Sequence, residues 1–81
     1  MNSAVEAKVI AVLSQVMNLE PGEIHSDSST DTIESWDSLQ HMNLIMALEE
    51  EFAIRFSEDQ IISEMLSVRQ IVDLITNDQE S

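Results

Sequence analysis

Apolar residues return at intervals of three and four along four stretches of the chain, the rhythm of helices. Val5, Val9, Val12, Leu13 and Val16 mark the first stretch, and Ser3-Ala4-Val5-Glu6 reads as a capping box at its start. The spacing predicts a helix from about Ala4 to Asn18, ending before Pro21-Gly22. A second helix is predicted from Ser38 to about Phe52. Asp37 is its N-cap, and Gln40 at the third helical position completes a second capping box. Ser57-Glu58-Asp59-Gln60 opens a short third helix through about Met65. Ser67-Val68-Arg69-Gln70 opens a fourth through about Thr76, burying Val68, Ile71, Val72 and Ile75. Asn77 to Ser81 should fray.

Leu19 to Trp36 breaks the rhythm. Its centre, Ser26-Asp27-Ser28-Ser29-Thr30-Asp31, is a run of turn and cap formers. The expectation is one long surface loop pinned by Ile24 and Ile33, a length that in a small domain often serves function. Trp36 should anchor that loop against the second helix in the manner of a hydrophobic staple; the alternative is that it shields the site at Ser38 or is read by a partner.

The second helix carries two apolar faces rather than one. At roughly 100° per residue, Leu44, Ile45, Leu48 and Phe52 point one way, with His41 among them. Leu39, Met42 and Met46 point elsewhere, displaced by roughly 130°. A small bundle can bury the first face. The second, with Asn43, Glu49 and Glu50 beside it, then forms a partly exposed stripe with adaptable Met side chains suited to docking. On the pattern alone, burial of this second face is about equally good; the acidic rim and the neighbouring Ser38 favour docking.

The chain has 81 residues, enough for one small domain over residues 1–81. One Gly and one Pro argue against a turn-rich β fold, so the class is all-α, a four-helix bundle. With 16 acidic residues against 3 basic ones, Lys8, Arg55 and Arg69, the formal net charge is -13. That field repels nucleic acid and anionic membranes, attracts basic protein surfaces, and favours a monomer. It should also leave the fold only marginally stable at low salt. A hydrophobic content of 43% in helical rhythm speaks against disorder. There is no cysteine, hence no disulfide framework or thiolate metal site. No apolar run has membrane-spanning length, and the first residues lack the features of a signal peptide, so a cytoplasmic, full-length protein is expected.

Ser38 and His41 lie three apart with Asp37 beside them, which invites a hydrolytic reading. No glycine-rich turn offers an oxyanion hole, and the projection turns His41 toward the core, where a partly buried, hydrogen-bonded imidazole is the better expectation. His25, Asp27 and Asp31 do not make a calcium loop, so no metal site is expected. No other catalytic constellation is recognisable.

The run from Asp37-Ser38-Leu39 through Met42, Leu44, Met46, Leu48 and Glu49 to Phe52 resembles the phosphopantetheine-attachment segment and recognition helix of acyl carrier proteins. Asp-Ser-Leu alone is a weak motif; with these followers in the family's spacing it is strong. Length, acidity, the long first loop and the short third helix extend the resemblance over nearly the whole chain. It implies an acyl-carrier-type bundle that is not an enzyme. In that family a phosphopantetheinyl transferase moves 4'-phosphopantetheine from coenzyme A onto the motif serine, here Ser38 between Asp37 and Leu39. The arm's thiol then holds acyl groups as thioesters. The matching partner face is Leu39, Met42, Asn43, Met46, Glu49 and Glu50. The implied partners are that transferase, an acyl-loading ligase or acyltransferase, and a ketosynthase or other acyl-processing enzyme with a basic patch.

Three departures from the common pattern bear on the pathway. Ser35 and Trp36 precede Asp37 where a Gly is frequent, Asn43 stands where an acid is frequent, and the stretch from Ser57 to Ser67 is slightly long. A specialised acyl, aminoacyl or polyketide pathway is at least as well supported as fatty-acid synthesis. Two alternatives stay open: an unmodified acidic interaction domain with the same fold, and a stand-alone aminoacyl or peptidyl carrier. Ile45, Leu48, Ile61, Ile62 and Leu74 could line a cavity for a folded-back acyl chain, although ordinary core residues look the same.

Overall fold

A computed structural model of the chain describes residues 3–80. Helix α1 is Ser3–Met17, α2 is Ser38–Phe52, α3 is Glu58–Ser63 and α4 is Val68–Glu80. Helix α1 packs against both α2 and α4. Among the described residues the architecture is all-helical, with the long connection between α1 and α2 and the short third helix that the pattern predicts.

The core follows the apolar periodicity. Val5, Val9, Leu13 and Met17 of α1 meet Leu44, Ile45 and Leu48 of α2 and Val68, Ile71, Val72 and Ile75 of α4. Val12 and Val16 flank this stripe, half-buried. Ile24, Ile33 and Trp36 close the cluster from the loop, so the two expected isoleucine pins and the tryptophan anchor are in place. The Lys8 ammonium lies 5.9 Å from the centre of the Phe52 ring, joining α1 to the end of α2.

Helix α1 begins and ends one residue before the expected bounds. Asn18 adopts the left-handed region (φ 58°), which lets the Leu19 N–H reach back to the Ser14 carbonyl at 2.9 Å and close the helix. The Ser3 side chain, and with it the capping box expected there, lies outside the described residues.

The long loop is more structured than a surface connection. Pro21–Glu23 forms a single 3-10 turn, and the Glu20 N–H donates to the Glu23 carboxylate at 2.9 Å. Farther on, the Ser28 hydroxyl accepts from the His25 N–H and the Thr32 hydroxyl from the Ser29 N–H, each at 2.8 Å. Ser29 then forms an antiparallel bridge with Ser67. The Val68 and Arg69 N–H groups donate to the Ser28 and Ser26 carbonyls at 2.9 and 3.0 Å. The loop therefore caps α4 with its backbone, satisfying donors that a helix start leaves without an internal partner.

The capping boxes divide by how their N3 side chain is used. At α3 both bonds form: Gln60 N–H to the Ser57 hydroxyl at 3.2 Å and Ser57 N–H to the Gln60 side chain at 2.9 Å. At α4 the Gln70 N–H meets the Ser67 hydroxyl, but the Gln70 side chain accepts from the Leu66 N–H, one residue before the expected donor. At α2 the Asp37 carboxylate accepts from the Gln40 N–H at 2.9 Å. The return bond of the expected second box is absent, because the Gln40 side chain accepts from Asn43 and the Asp37 N–H donates to the Ser35 carbonyl.

Helix α3 stops at Ser63, two residues short of the expected Met65. Met65 is fully buried, and the chain leaves helical geometry at Glu64 to deliver it to the core. Helix α4 runs on to Glu80 where fraying was expected from Asn77. Its apolar face is complete by Ile75, and nothing in the following residues breaks a helix.

Candidate functional site

Ser38 is the first residue of α2 and is exposed. Asp37 precedes it in extended backbone conformation, its carboxylate tied to the Gln40 N–H. Trp36, immediately before, is buried at 3% exposure. The arrangement fixes the backbone on one side with a core tryptophan and on the other with a helix cap, while the serine hydroxyl stays in solvent. By helix geometry the N–H groups of Ser38 and Leu39 have no carbonyl partner within α2. They point where a negatively charged group on the hydroxyl would sit, at the positive end of the helix dipole.

The second apolar face of α2 is exposed. Leu39 is 72% accessible, Met42 49% and Met46 61%, while Leu44, Ile45 and Leu48 on the other face are buried. The alternative in which both faces enter the core does not hold. Ile62 of α3 is 70% accessible and is a second exposed large aliphatic near Ser38. It could have lined an interior cavity; instead Ile61 is the α3 residue packed on the core, and Ile62, about 100° further round the helix, faces solvent.

Asn43 is exposed, its amide donating to the Gln40 side chain at 3.0 Å. Glu50 is exposed. Glu49 is half-buried, and its carboxylate accepts from the Phe56 N–H at 2.9 Å, so it also holds the turn after α2. The sequence pattern gave no sign of this second use.

A cleft of about 480 Å³ opens beside Ser38, between the loop, α2 and α3. Trp36, His41, Met42, Ile61, Ile62 and Leu66 line it. The Trp36 indole N–H donates to His41 Nδ1 at 3.0 Å. His41 Nε2 lies 2.7 Å from the Ile61 carbonyl oxygen. An Nδ1 that accepts leaves the proton on Nε2, which then donates to that carbonyl. Both ring nitrogens are engaged away from Ser38, so His41 cannot serve it as a general base in this arrangement. His41 is the hydrogen-bonded, half-buried imidazole the helical projection implied. Among the described residues no cluster of three metal-binding side chains occurs, His25, Asp27 and Asp31 included.

A family model described as a phosphopantetheine attachment site matches residues 7–75. The chain is 36% identical over 73 residues to the acyl carrier protein of Buchnera aphidicola subsp. Schizaphis graminum, covering 90% of this chain and 91% of that one. The chain belongs to the acyl carrier protein family. It is also 29% identical over 75 residues to the acyl carrier protein of Thermosynechococcus vestitus, covering 93% and 91% of the two chains. To that of Prochlorococcus marinus it is 38% identical over 52 residues, covering 64% and 65%.

The prosthetic group of this carrier family is covalently bound 4'-phosphopantetheine. The residues present suit it: an exposed serine hydroxyl at a helix N-terminus for the phosphodiester, and an apolar cleft beside it. The arm supplies a thiol to a chain that has no cysteine of its own. Thioester chemistry on the arm therefore meets no competing thiol from this chain.

Proposed function

We propose that Ser38 carries the 4'-phosphopantetheine arm and that the chain presents acyl thioesters on it to partner enzymes, without catalysing a reaction itself. The observation that carries this reading is the placement of Ser38: exposed, first in α2, capped by Asp37, and next to Leu39 at the head of an exposed apolar stripe. A phosphopantetheinyl transferase needs an accessible hydroxyl on a firmly held backbone. Asp37 and the buried Trp36 supply the second requirement, and helix geometry supplies the first.

Leu39, Met42 and Met46 form the docking stripe, with Asn43, Glu49 and Glu50 around it. The partners are the transferase, an acyl-loading ligase or acyltransferase, and a ketosynthase or other acyl-processing enzyme. Each would bring a basic surface to a chain of formal net charge -13. Residues 1–81 act as one monomeric carrier unit, working in the cytoplasm. Among the described residues no helix is long and apolar enough to cross a membrane.

The test is the intact mass after incubation with coenzyme A and a broad-specificity transferase. A gain of one phosphopantetheine on the native chain and none on a folded Ser38→Ala variant is expected. No gain on a native chain that is folded, with the transferase active on another carrier, overturns the reading in favour of an unmodified interaction domain.

A further inference from the structure

The chain holds five methionines and no cysteine, so the thioether is its only form of sulfur. Met1 lies outside the described residues. The other four divide sharply by burial. Met17 of α1 and Met65, just after α3, are buried in the core. Met42 and Met46 of α2 are 49% and 61% exposed. They stand four apart on one helix, so their side chains are neighbours on its outer face. Met42 also lines the cleft beside Ser38, about one turn along the helix from it. Leu44, Ile45 and Leu48 make the buried face of α2, so the exposed pair is spared from core packing.

We propose that Met42 and Met46 form a paired, reversible oxidation site through which a peroxide weakens partner docking without unfolding the chain. This rests on the reading of Leu39, Met42 and Met46 as the docking stripe. In each step the thioether sulfur attacks one oxygen of hydrogen peroxide. An S–O bond forms and the O–O bond breaks. The proton of the transferred hydroxyl passes to the leaving hydroxide, which departs as water. Sulfur is oxidised by two electrons and the peroxide is reduced by two. The product sulfoxide is polar and chiral where the thioether was apolar and adaptable. Of the three stripe residues, Leu39 alone then stays apolar. A partner surface shaped for the apolar stripe gives the new S–O groups no hydrogen bond, so docking must desolvate them without compensation. Methionine sulfoxide reductases return the thioether.

The fold supplies its own controls. Peroxide must reach the sulfur to react. Met17 and Met65 meet it only when the structure opens, whereas Met42 and Met46 meet it in the folded chain. Oxidation of the exposed pair therefore runs ahead of any damage to the core, and an altered side chain in solvent changes stability little.

The experiment treats the unmodified chain with hydrogen peroxide, maps the oxidation of each methionine by peptide mass, and removes the peroxide. It then measures the rate of phosphopantetheine transfer from coenzyme A by a broad-specificity transferase. Met42 and Met46 are expected to oxidise at least about tenfold faster than Met17 and Met65. With the pair oxidised, helix content should persist and transfer should slow by about fivefold or more. Reductases acting on both sulfoxide epimers should restore the rate. A Met42→Leu/Met46→Leu chain keeps apolar side chains at both positions but has no sulfur there. Peroxide should leave that chain's own rate unchanged, whatever the rate is. Equal oxidation of all four described methionines, transfer indifferent to oxidation of the pair, or an equal loss in the doubly substituted chain would each overturn the proposal. No transfer to the untreated native chain would overturn the carrier reading and the loss of docking with it. That failure is distinguishable, because it shows before any peroxide is added.

Discussion

The Glu49 carboxylate accepts a hydrogen bond from the Phe56 backbone N–H at 2.9 Å, across the turn between α2 and α3. A residue expected only to offer charge to partners is also part of the scaffold. Charge-assisted bonds of this kind contribute more than neutral ones. Glu49→Ala should lower stability by about 1–2 kcal/mol in urea unfolding, and Glu49→Gln by roughly half as much because it keeps an acceptor. Glu50→Ala, on an exposed side chain, should change stability by less than about 0.5 kcal/mol. A Glu49→Ala chain as stable as the native one would show that the bond contributes nothing.

Trp36 and Leu39 stand on either side of Asp37-Ser38 and should respond oppositely to truncation. Trp36 is buried, so Trp36→Ala should cost about 3–5 kcal/mol and leave a marginal fold. Leu39 is 72% accessible, so Leu39→Ala should leave the unfolding midpoint nearly unchanged. Its effect should fall on partners: at least about fivefold weaker processing by the transferase, the signature of an interface contact worth about 1 kcal/mol. Met46→Ala, also exposed, should behave like Leu39→Ala. Equal processing of the native, Leu39→Ala and Met46→Ala chains would remove the docking stripe from the account.

Ala53 sits in the left-handed region at φ 55° and closes α2 through the bond from its N–H to the Glu49 carbonyl. A side chain there is strained, and glycine is the residue suited to such a cap. Ala53→Gly should stabilise the chain by about 0.5–1 kcal/mol, the strain relieved less the added freedom of the unfolded glycine. Chemical denaturation measures this directly. A destabilised Ala53→Gly would mean that the turn after α2 is held by contacts stronger than the backbone preference.

Sixteen acidic residues on a small surface repel one another at low ionic strength. Raising sodium chloride from about 10 mM to about 150 mM shortens the Debye length from roughly 30 Å to roughly 8 Å. The thermal midpoint should rise by about 5 °C or more, equivalent to about 1 kcal/mol in a domain this size. Millimolar magnesium should act in the same direction. A midpoint indifferent to both would contradict the expectation of charge-limited stability.

The bundle was legible because its signals are local. Asp37 and Ser57 announce helix starts within three residues of sequence, and the core stripe of α1 repeats without interruption from Val5 to Met17. The candidate serine, Ser38, stands out for the same local reason, lying between a cap and a two-faced helix. What escaped is non-local. The bridge between Ser29 and Ser67 and the capping of α4 by the Ser26 and Ser28 carbonyls join segments some forty residues apart through backbone atoms alone. No side-chain pattern encodes them. The 3-10 turn at Pro21–Glu23 did carry a signal, proline at the first position with Glu23 three residues beyond Glu20. It was obscured because glutamate is an uncommon cap. Ile62 could have lined a cavity on hydrophobicity alone; only the placement of the short helix α3, with Ile61 toward the core, turns it to solvent.

The central claim is that the arm sits on Ser38, and the most direct measurement is fragmentation of the transferase-modified chain to locate the added mass. Ser35, exposed three residues earlier with its hydroxyl 3.5 Å from the Met17 carbonyl, is the natural competitor. The account predicts the whole phosphopantetheine increment on the fragment bearing Ser38 and none on Ser35. An increment on Ser35, or on any residue other than Ser38, would contradict it.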